Sequence, residues 1–266
     1  LLKKKGLTKQ AIDHLCRAVD LDDALIEAHT IIAALCSEEH EFDRGIAHLR
    51  KALKARPGDM NIMFLLANAL NTANYTEEAL EYYRKSLEKN PESSSILYNI
   101  AYTLKKLGRI EEAMPYYNAT LERDPNHSAA HFSRGLAYLA TGNFQEGWPE
   151  YEWRWKQEKN QLSSREFPMP MWDGSDLSNK TIYLHAEQGL GDTFQFVRYA
   201  REVKKKNPKK IIVAVQNPLK DIIALCPYID QVVLLTEKRP QFDTHAPLAS
   251  LPYIFNTTVR TVPAEI

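Results

Sequence analysis

The sequence predicts two consecutive parts, a solenoid of short helical repeats followed by an open parallel α/β sheet. Prolines recur 34 residues apart in the first part, at Pro57, Pro91 and Pro125. After residue 180, short apolar runs alternate with helix-like segments, which is typical of strand–helix–strand units. A stretch rich in Pro, Ser, Asn, Asp and Gly separates the two patterns. We therefore place repeats at 1–159, a linker at 160–180 and the α/β part at 181–266.

Three further columns keep the 34-residue step. Two hold small residues and one holds large apolar or aromatic residues: Ala33, Ala67, Ala101, Gly135; Ala11, Gly45, Ala79, Ala113, Gly147; and Leu15, Leu49, Tyr83, Tyr117, Tyr151. Small, small, aromatic and proline columns at this period are the tetratricopeptide pattern, in which two antiparallel helices form each repeat. Small residues occupy the helix crossings, and stacked repeats bury each other's apolar faces in a right-handed solenoid.

Four complete repeats span 26–59, 60–93, 94–127 and 128–159, and residues 7–22 match a second helix alone. We therefore expect the chain to begin inside a longer protein. The last repeat departs from the pattern, since Arg154 stands where a small residue is expected. Three bulky neighbours, Trp148, Trp153 and Trp155, indicate a cap that docks on the α/β part.

The first helix of each repeat lines a concave groove in this class of fold. Here those helices carry polar and aromatic side chains: Asn68, Asn71, Tyr98, Asn99, Tyr102, Lys105, Lys106, Phe132 and Ser133. Such a surface suits the main chain of an extended peptide, so we predict a peptide or protein partner. The simpler alternative is a solvated polar face without a dedicated ligand.

Composition excludes several classes of function. Lys+Arg and Asp+Glu both number 34, and this zero net charge argues against a general nucleic-acid binder. The three cysteines, Cys16, Cys36 and Cys226, lack metal-ligand spacing, so we expect reduced thiols in a cytoplasmic protein without metal or cofactor. No apolar run approaches the ~20 residues of a membrane span.

In the second part, four apolar segments indicate strands, at 181–185, 211–215, 231–235 and 242–247. Between and after them, three segments indicate helices, at 193–206, 217–226 and 249–255. Because the strands are nearly continuous apolar runs, they are typical of parallel strands buried on both faces. This alternation predicts a Rossmann-like sheet with right-handed crossovers.

The turn after the first strand reads HAEQGLGDTFQF, from His185 to Phe196. Gly189 and Gly191 have the first spacing of a dinucleotide fingerprint, but Phe194 occupies its third position. A phosphate-binding P-loop is excluded because Gly-Lys-Ser/Thr is absent from the turn. Asp192 at the following helix start suits two roles, an N-cap and a catalytic carboxylate.

Three segments, YEWRW, WDGSDLSNKTIYLHAEQGLGDTFQFVRYA and FDTHAPLASLP, resemble bacterial proteins that join tetratricopeptide repeats to a glycosyltransferase-like domain. The segment from Gly189 to Val233 is also similar to the start of lipopolysaccharide heptosyltransferases, which have two Rossmann domains (the GT-B fold). By that resemblance the α/β part is the first half of a GT-B fold, and Asp192 is the base that deprotonates an acceptor hydroxyl. We place the substrate-binding residues at the same turn: His185, Gln188, Gly189, Gly191 and Thr193.

The resemblance puts the nucleotide-sugar donor site in a second Rossmann domain, whose residues this chain does not include. We therefore expect a nucleotide-sugar donor only in a longer parent protein, and no transfer by this chain alone. The alternative is an interaction scaffold whose α/β part has lost catalysis.

Overall fold

The structure is a computed structural model, and it describes residues 7–157, 167–187 and 189–264. The chain divides into two compact units, residues 1–130 and residues 131–266. The repeat pattern of the sequence runs on past this division, which falls within one helix. Each unit has a hydrophobic core of its own.

The first unit is helical throughout its described part. Its helices are α1 Thr8–Leu21, α2 Ile26–Glu38, α3 Phe42–Ala55, α4 Met60–Thr72, α5 Thr76–Lys89, α6 Ser94–Lys106 and α7 Ile110–Arg123, and α8 Ser128–Ala140 begins at its end. From α1 to α7, each helix packs against the next one in sequence, as the tetratricopeptide pattern predicts. Cores form between the hairpins because one hairpin cannot bury its apolar faces alone.

A further column of the repeat lies in the turns within the helical hairpins. His40, Asn74, Gly108 and Gly142 all have positive φ, between 61° and 81°, and follow each other at the same 34-residue step. Glycine and asparagine tolerate this left-handed conformation, which commonly ends helices. The chain therefore reverses direction in the same way within each hairpin.

The small columns lie at helix crossings. Ala67, Ala79, Ala101 and Ala113 are each 0% exposed. A Cβ placed on Gly45 would lie 3.2 Å from the Ala33 carbonyl oxygen, so α2 and α3 approach as closely as a glycine allows. The aromatic column fills the adjoining space, with the rings of Tyr83 and Tyr117 fully buried.

Ala101→Leu should destabilise the first unit, because three added carbons have no space at a fully buried crossing. We expect a loss of about 1–3 kcal/mol in the free energy of unfolding. Far-ultraviolet circular dichroism during urea unfolding measures it. Ala34→Leu, on the exposed side of α2, is the matched control; equal midpoints for the two variants would contradict the assigned helix register.

The second unit combines the last helices of the repeat pattern with a parallel sheet. After α8 come α9 Phe144–Tyr151 and a 3₁₀ turn, Glu152–Lys156. The strands are β1 Thr181–His185, β2 Lys210–Val215, β3 Gln231–Leu234 and β4 Thr244–Pro247, all parallel, in the order β3-β2-β1-β4. The helices are α10 Leu190–Phe196, α11 Ala200–Lys204, α12 Lys220–Ile223 and α13 Leu251–Ile254.

The predicted strands are present, with the fourth beginning two residues later than predicted. The predicted helix 193–206 instead begins at Leu190 and is interrupted by a 3₁₀ turn, Val197–Tyr199. The predicted helix 217–226 is a 3₁₀ turn followed by the single turn of α12. Pro218 lies in the first turn of this segment, as predicted, where its fixed φ and missing N–H are tolerated.

The core of this unit joins α8 and α9 to the sheet. Tyr151 is buried in one cluster with Ile182, Leu184 and Val213 of the sheet, and Leu136 packs against the same cluster. A Cβ on Gly135 would lie 2.8 Å from the Tyr151 backbone nitrogen, so α8 and the end of α9 are in close contact. The last repeat is therefore built into the fold of the sheet.

Of the three tryptophans predicted to dock on the α/β part, Trp148 and Trp153 have different partners. Trp148 donates from Nε1 to the Thr257 carbonyl oxygen at 3.1 Å, and its ring meets Phe196 edge-on at 6.4 Å. It therefore contacts the α/β part as predicted. Trp153 instead stacks on His131 of α8, with ring centroids 3.7 Å apart.

Candidate functional site

The turn after β1 places Asp192 close to the carboxyl end of the sheet. Gly189 is the N-cap of α10, and Asp192 is the third helical residue. The prediction that Asp192 is itself the N-cap is therefore wrong. Its Oδ2 accepts the Gly189 backbone N–H at 3.1 Å, which satisfies one of the donors at the helix start. Among the described residues, its Oδ1 accepts no hydrogen bond, and the residue is exposed.

The backbone conformation of this turn does not require glycine at either Gly189 or Gly191. Gly189 has φ −66°, and neither Gly189 nor Gly191 has the positive φ that favours glycine. A Cβ on Gly191 would meet nothing within 4 Å. The glycines therefore leave open space and bare backbone beside Asp192, where a ligand can approach closely.

Thr193 and His185, two of the predicted substrate contacts, are buried. The Thr193 hydroxyl is buried and lies 3.0 Å from Gln216 Oε1, at the end of β2. Thr193 thus ties α10 to the neighbouring strand. Gln188, the remaining predicted substrate contact, lies outside the described residues.

His185 belongs to an aromatic layer on one face of the sheet. Its Nε2 lies 3.3 Å from His245 Nδ1 on β4, and the Phe167 ring stacks on both imidazoles, at 4.5 and 4.0 Å. Burial lowers the pKa of His245, and the Arg239 guanidinium, which lies over Phe167, lowers it further. His245 was missed from the sequence as a partner of His185, although it lies in the quoted FDTHAPLASLP segment.

A buried ionic cluster adjoins the turn, and we call it the Arg154 cluster: Arg154, Glu152, Glu187 and Ser250. Arg154 is 1% exposed and donates to Glu187 Oε1 from Nε and Nη2, at 3.0 and 2.7 Å. It also donates to Glu152 and, at 2.6 Å, to Ser250 Oγ. Ser250 in turn donates to the second Glu152 oxygen at 2.9 Å.

Electrostatics keep the Arg154 side chain charged in this cluster. Burial by itself disfavours the cation, but Glu187 and Glu152 more than compensate, and the pKa of Arg154 is raised overall. The guanidinium also lies against the rings of Tyr151 and Trp155, at 4.7 and 4.9 Å. Because Glu187 lies two residues after the end of β1, the cluster holds the strand end from which the Asp192 turn departs.

On the first unit, the predicted groove residues of α4 and α6, together with Leu65, form one surface, which we call the α4–α6 surface. It comprises Leu65, Asn68, Asn71, Tyr98, Asn99, Tyr102, Lys105 and Lys106. Asn68 Oδ1 accepts hydrogen bonds from the Tyr83 hydroxyl at 2.6 Å and from Asn99 Nδ2 at 3.1 Å. Lys106 donates to the Asn71 carbonyl oxygen at 2.7 Å.

The α4–α6 surface also exposes apolar area and adjoins a cavity. Leu65 is 41% and Tyr102 40% exposed. Beside Asn68 lies a cavity of about 290 Å³, lined by Thr30, Ala33, Ala34, Ser37, Leu49, Leu65, Asn68, Ala69 and Thr72. The remaining predicted groove residues, Phe132 and Ser133, belong to the second unit, where the Phe132 ring lies 5.4 Å from Tyr151.

Comparisons with known proteins identify the repeats. The tetratricopeptide repeat family model matches residues 38–94 and 98–156. The chain therefore carries tetratricopeptide repeats, a class of fold that presents extended binding surfaces to peptides and proteins. The matched residues end before the sheet begins.

Solved structures show the same helical fold. Crystal structures of MamA are similar to the chain at TM-scores of 0.54 and 0.53, both with 17% identity. The first match covers 60% of this chain and 94% of MamA, and the second covers 63% and 92%. No curated protein matches the chain.

Membrane spans and metal centres each have a structural requirement, an apolar helix of about 20 residues in the first case and a group of ligating side chains in the second. Over the described ranges, no helix has both the length and the apolar character needed to span a bilayer. Within the same ranges, no three His, Cys, Asp or Glu side chains are grouped so that they could hold a metal ion.

Proposed function

We propose that the repeats bind an extended peptide segment of a partner protein at the α4–α6 surface. The observation that supports this proposal is the hydrogen-bonded pair of Asn68 and Asn99. Because two donors meet Asn68 Oδ1, its amide nitrogen is directed away from them. Within the described part of the chain, Asn68 Nδ2 and Asn99 Oδ1 make no hydrogen bond, so the pair offers one donor and one acceptor to a peptide main chain.

Lys105 supports a preference for acidic partners. It is half-buried and has no carboxylate partner among the described residues. Burial lowers the pKa of Lys105, because the ammonium group loses part of its solvation. Its Nζ lies 5.4 Å from the centre of the Tyr102 ring. A peptide carboxylate at this position would compensate the cost of burying the cation.

Selection from a phage-displayed random peptide library tests this proposal. The recovered peptides are synthesised, and their affinities are measured by fluorescence polarisation. We expect acidic residues to be enriched, and Asn99→Ala and Lys105→Glu each to weaken binding by tenfold or more. Lys89→Glu, on the exposed end of α5, is the matched charge control. Recovered peptides that bind all four proteins equally would contradict the α4–α6 surface as the site.

A second candidate function concerns the α/β part, which we propose as the acceptor-binding half of a GT-B sugar transferase. The supporting observation is Asp192, whose Oδ2 is held by the turn while Oδ1 makes no hydrogen bond within the described residues. A carboxylate held in this way can take the proton of an acceptor hydroxyl as the oxygen attacks an anomeric carbon. The nucleotide-sugar donor requires a second Rossmann domain. If transfer is absent, the chain is an interaction scaffold.

We also propose a cytoplasmic location. The support is that Cys16, Cys36 and Cys226 are all free thiols, and two of them are buried. Burial raises the pKa of the Cys36 thiol, which keeps it protonated and unreactive.

A further inference from the structure

The second unit contains a cleft that shares only Asp192 with the proposed transferase function and no residue with the proposed peptide site. It has a volume of about 300 Å³ and lies beside α10. Its apolar walls are Leu136, Leu139, Phe144, Trp148, Tyr151, Phe196, Tyr199 and Val262, and its polar residues are Asp192, Gln195 and Arg198. The volume is at the lower end of the range found for small-molecule sites.

The aromatic walls of the cleft are fixed by contacts of their own. Trp148 is held through its bond to the Thr257 carbonyl oxygen, and Phe144 and Tyr151 meet its ring edge-on at 5.6 and 6.0 Å. The Tyr199 hydroxyl is bonded to Thr257 Oγ1 at 3.0 Å. The cleft is therefore formed in advance, and a ligand would not have to order these side chains.

All the polar groups lie on one helical segment, and two of them carry opposite charges. Asp192 and Arg198 are six residues apart, which is about 9 Å along a helix. Neither forms an ion pair with a described residue. Arg198 donates from Nη1 to the Pro263 carbonyl oxygen at 2.9 Å, but its buried Nε has no hydrogen-bond partner in the described structure. Because Arg198 lines the cleft without a carboxylate partner in the described structure, its positive charge is available there to an anionic group.

We propose that this cleft binds a small ligand with an apolar ring, a hydroxyl group at one end and a carboxylate at the other. The ring lies against Trp148 and Phe196, the hydroxyl donates to Asp192, and Arg198 binds the carboxylate. An unsubstituted sugar fits less well, because hydroxyl groups around its ring would face apolar walls without hydrogen-bond partners. This binding requires neither sugar transfer nor a peptide on the repeats.

Isothermal titration calorimetry with three probes tests the assignment. 4-Hydroxyphenylacetate has both polar groups, phenylacetate lacks the hydroxyl, and p-cresol lacks the carboxylate. We expect the first probe to bind at least tenfold more tightly than either of the others. Three equal affinities, or no binding of 4-hydroxyphenylacetate, would overturn the proposal.

Two variants locate the binding. Gln195 is exposed and lines the cleft, so Gln195→Trp should fill the space and abolish binding. Gln10→Trp, on the exposed side of α1, is the matched control and should bind like the parent. Arg198→Gln should weaken the two acids by tenfold or more and leave p-cresol unchanged. If Gln195→Trp binds normally while its melting temperature matches the parent, the ligand lies elsewhere and the proposal is wrong.

Discussion

Replacing Arg154 with methionine should lower the free energy of unfolding of the second unit by about 3–5 kcal/mol. The substitution leaves Glu187 buried without its cation, and it also removes a donor to Ser250. The desolvation of an unpaired carboxylate dominates this cost, because the methionine side chain recovers most of the lost packing.

Urea unfolding followed by tryptophan fluorescence measures this effect selectively. All four tryptophans, Trp148, Trp153, Trp155 and Trp172, belong to the second unit, so their emission reports on that unit. Arg260→Met, at an exposed arginine of the same unit, is the matched control and should change stability little. Adding Glu187→Gln to Arg154→Met should recover part of the loss, since the unpaired charge is removed. A midpoint for Arg154→Met equal to that of the control would show that the Arg154 cluster contributes nothing.

Replacing Asp192 with asparagine should reduce sugar transfer by roughly 10²–10⁴-fold, the usual contribution of a general base. Asparagine cannot accept the proton of an acceptor hydroxyl at neutral pH. Its side-chain oxygen can still accept the Gly189 N–H, so stability should change by less than the ~1 kcal/mol of a lost cap. Asp192→Ala should lose both transfer and the hydrogen bond at the helix start.

The measurement uses protein expressed from the complete open reading frame, with transfer and thermal melting followed on the same samples. Asp221→Asn is the matched control, because Asp221 is exposed in the first turn of α12 and we give it no role in transfer. If Asp192→Asn transfers sugar at the parental rate, Asp192 serves only the turn. If the unmutated protein shows no sugar transfer, the interaction-scaffold function is favoured over the transferase function.

The sequence did not distinguish whether Asp192 is the N-cap or a residue of the first helical turn. Acidic residues are favoured both at the N-cap and within the first helical turn, because each position faces backbone N–H groups and the positive end of the helix dipole. The residue type is therefore the same for both positions. Only the structure shows that α10 begins at Leu190 and that Asp192 bonds back to Gly189.

The repeated helices and the order of the strands along the chain follow from the sequence alone. The period of 34 residues arises because the packing between each hairpin and its neighbours recurs along the chain. Apolar strand runs likewise report burial on both faces of a sheet. These signals are local or repeated, so composition and spacing are enough to reveal them. The helix boundaries after β1 leave a weaker signal, because α10, α11 and α12 are short.

Which distant residues meet depends on the packing of the folded chain. Arg154 donates a hydrogen bond to Glu187, 33 residues away in the sequence, and His185 contacts His245, 60 residues away. In the sequence, Arg154 stands out only as a large charged residue in a column of small ones. Each such pair occurs once and leaves no period, and its partners are selected by the way the sheet packs against the last two repeat helices. The clusters and the cleft beside Asp192 arise from that packing, so the spacing of residues along the chain could not reveal them.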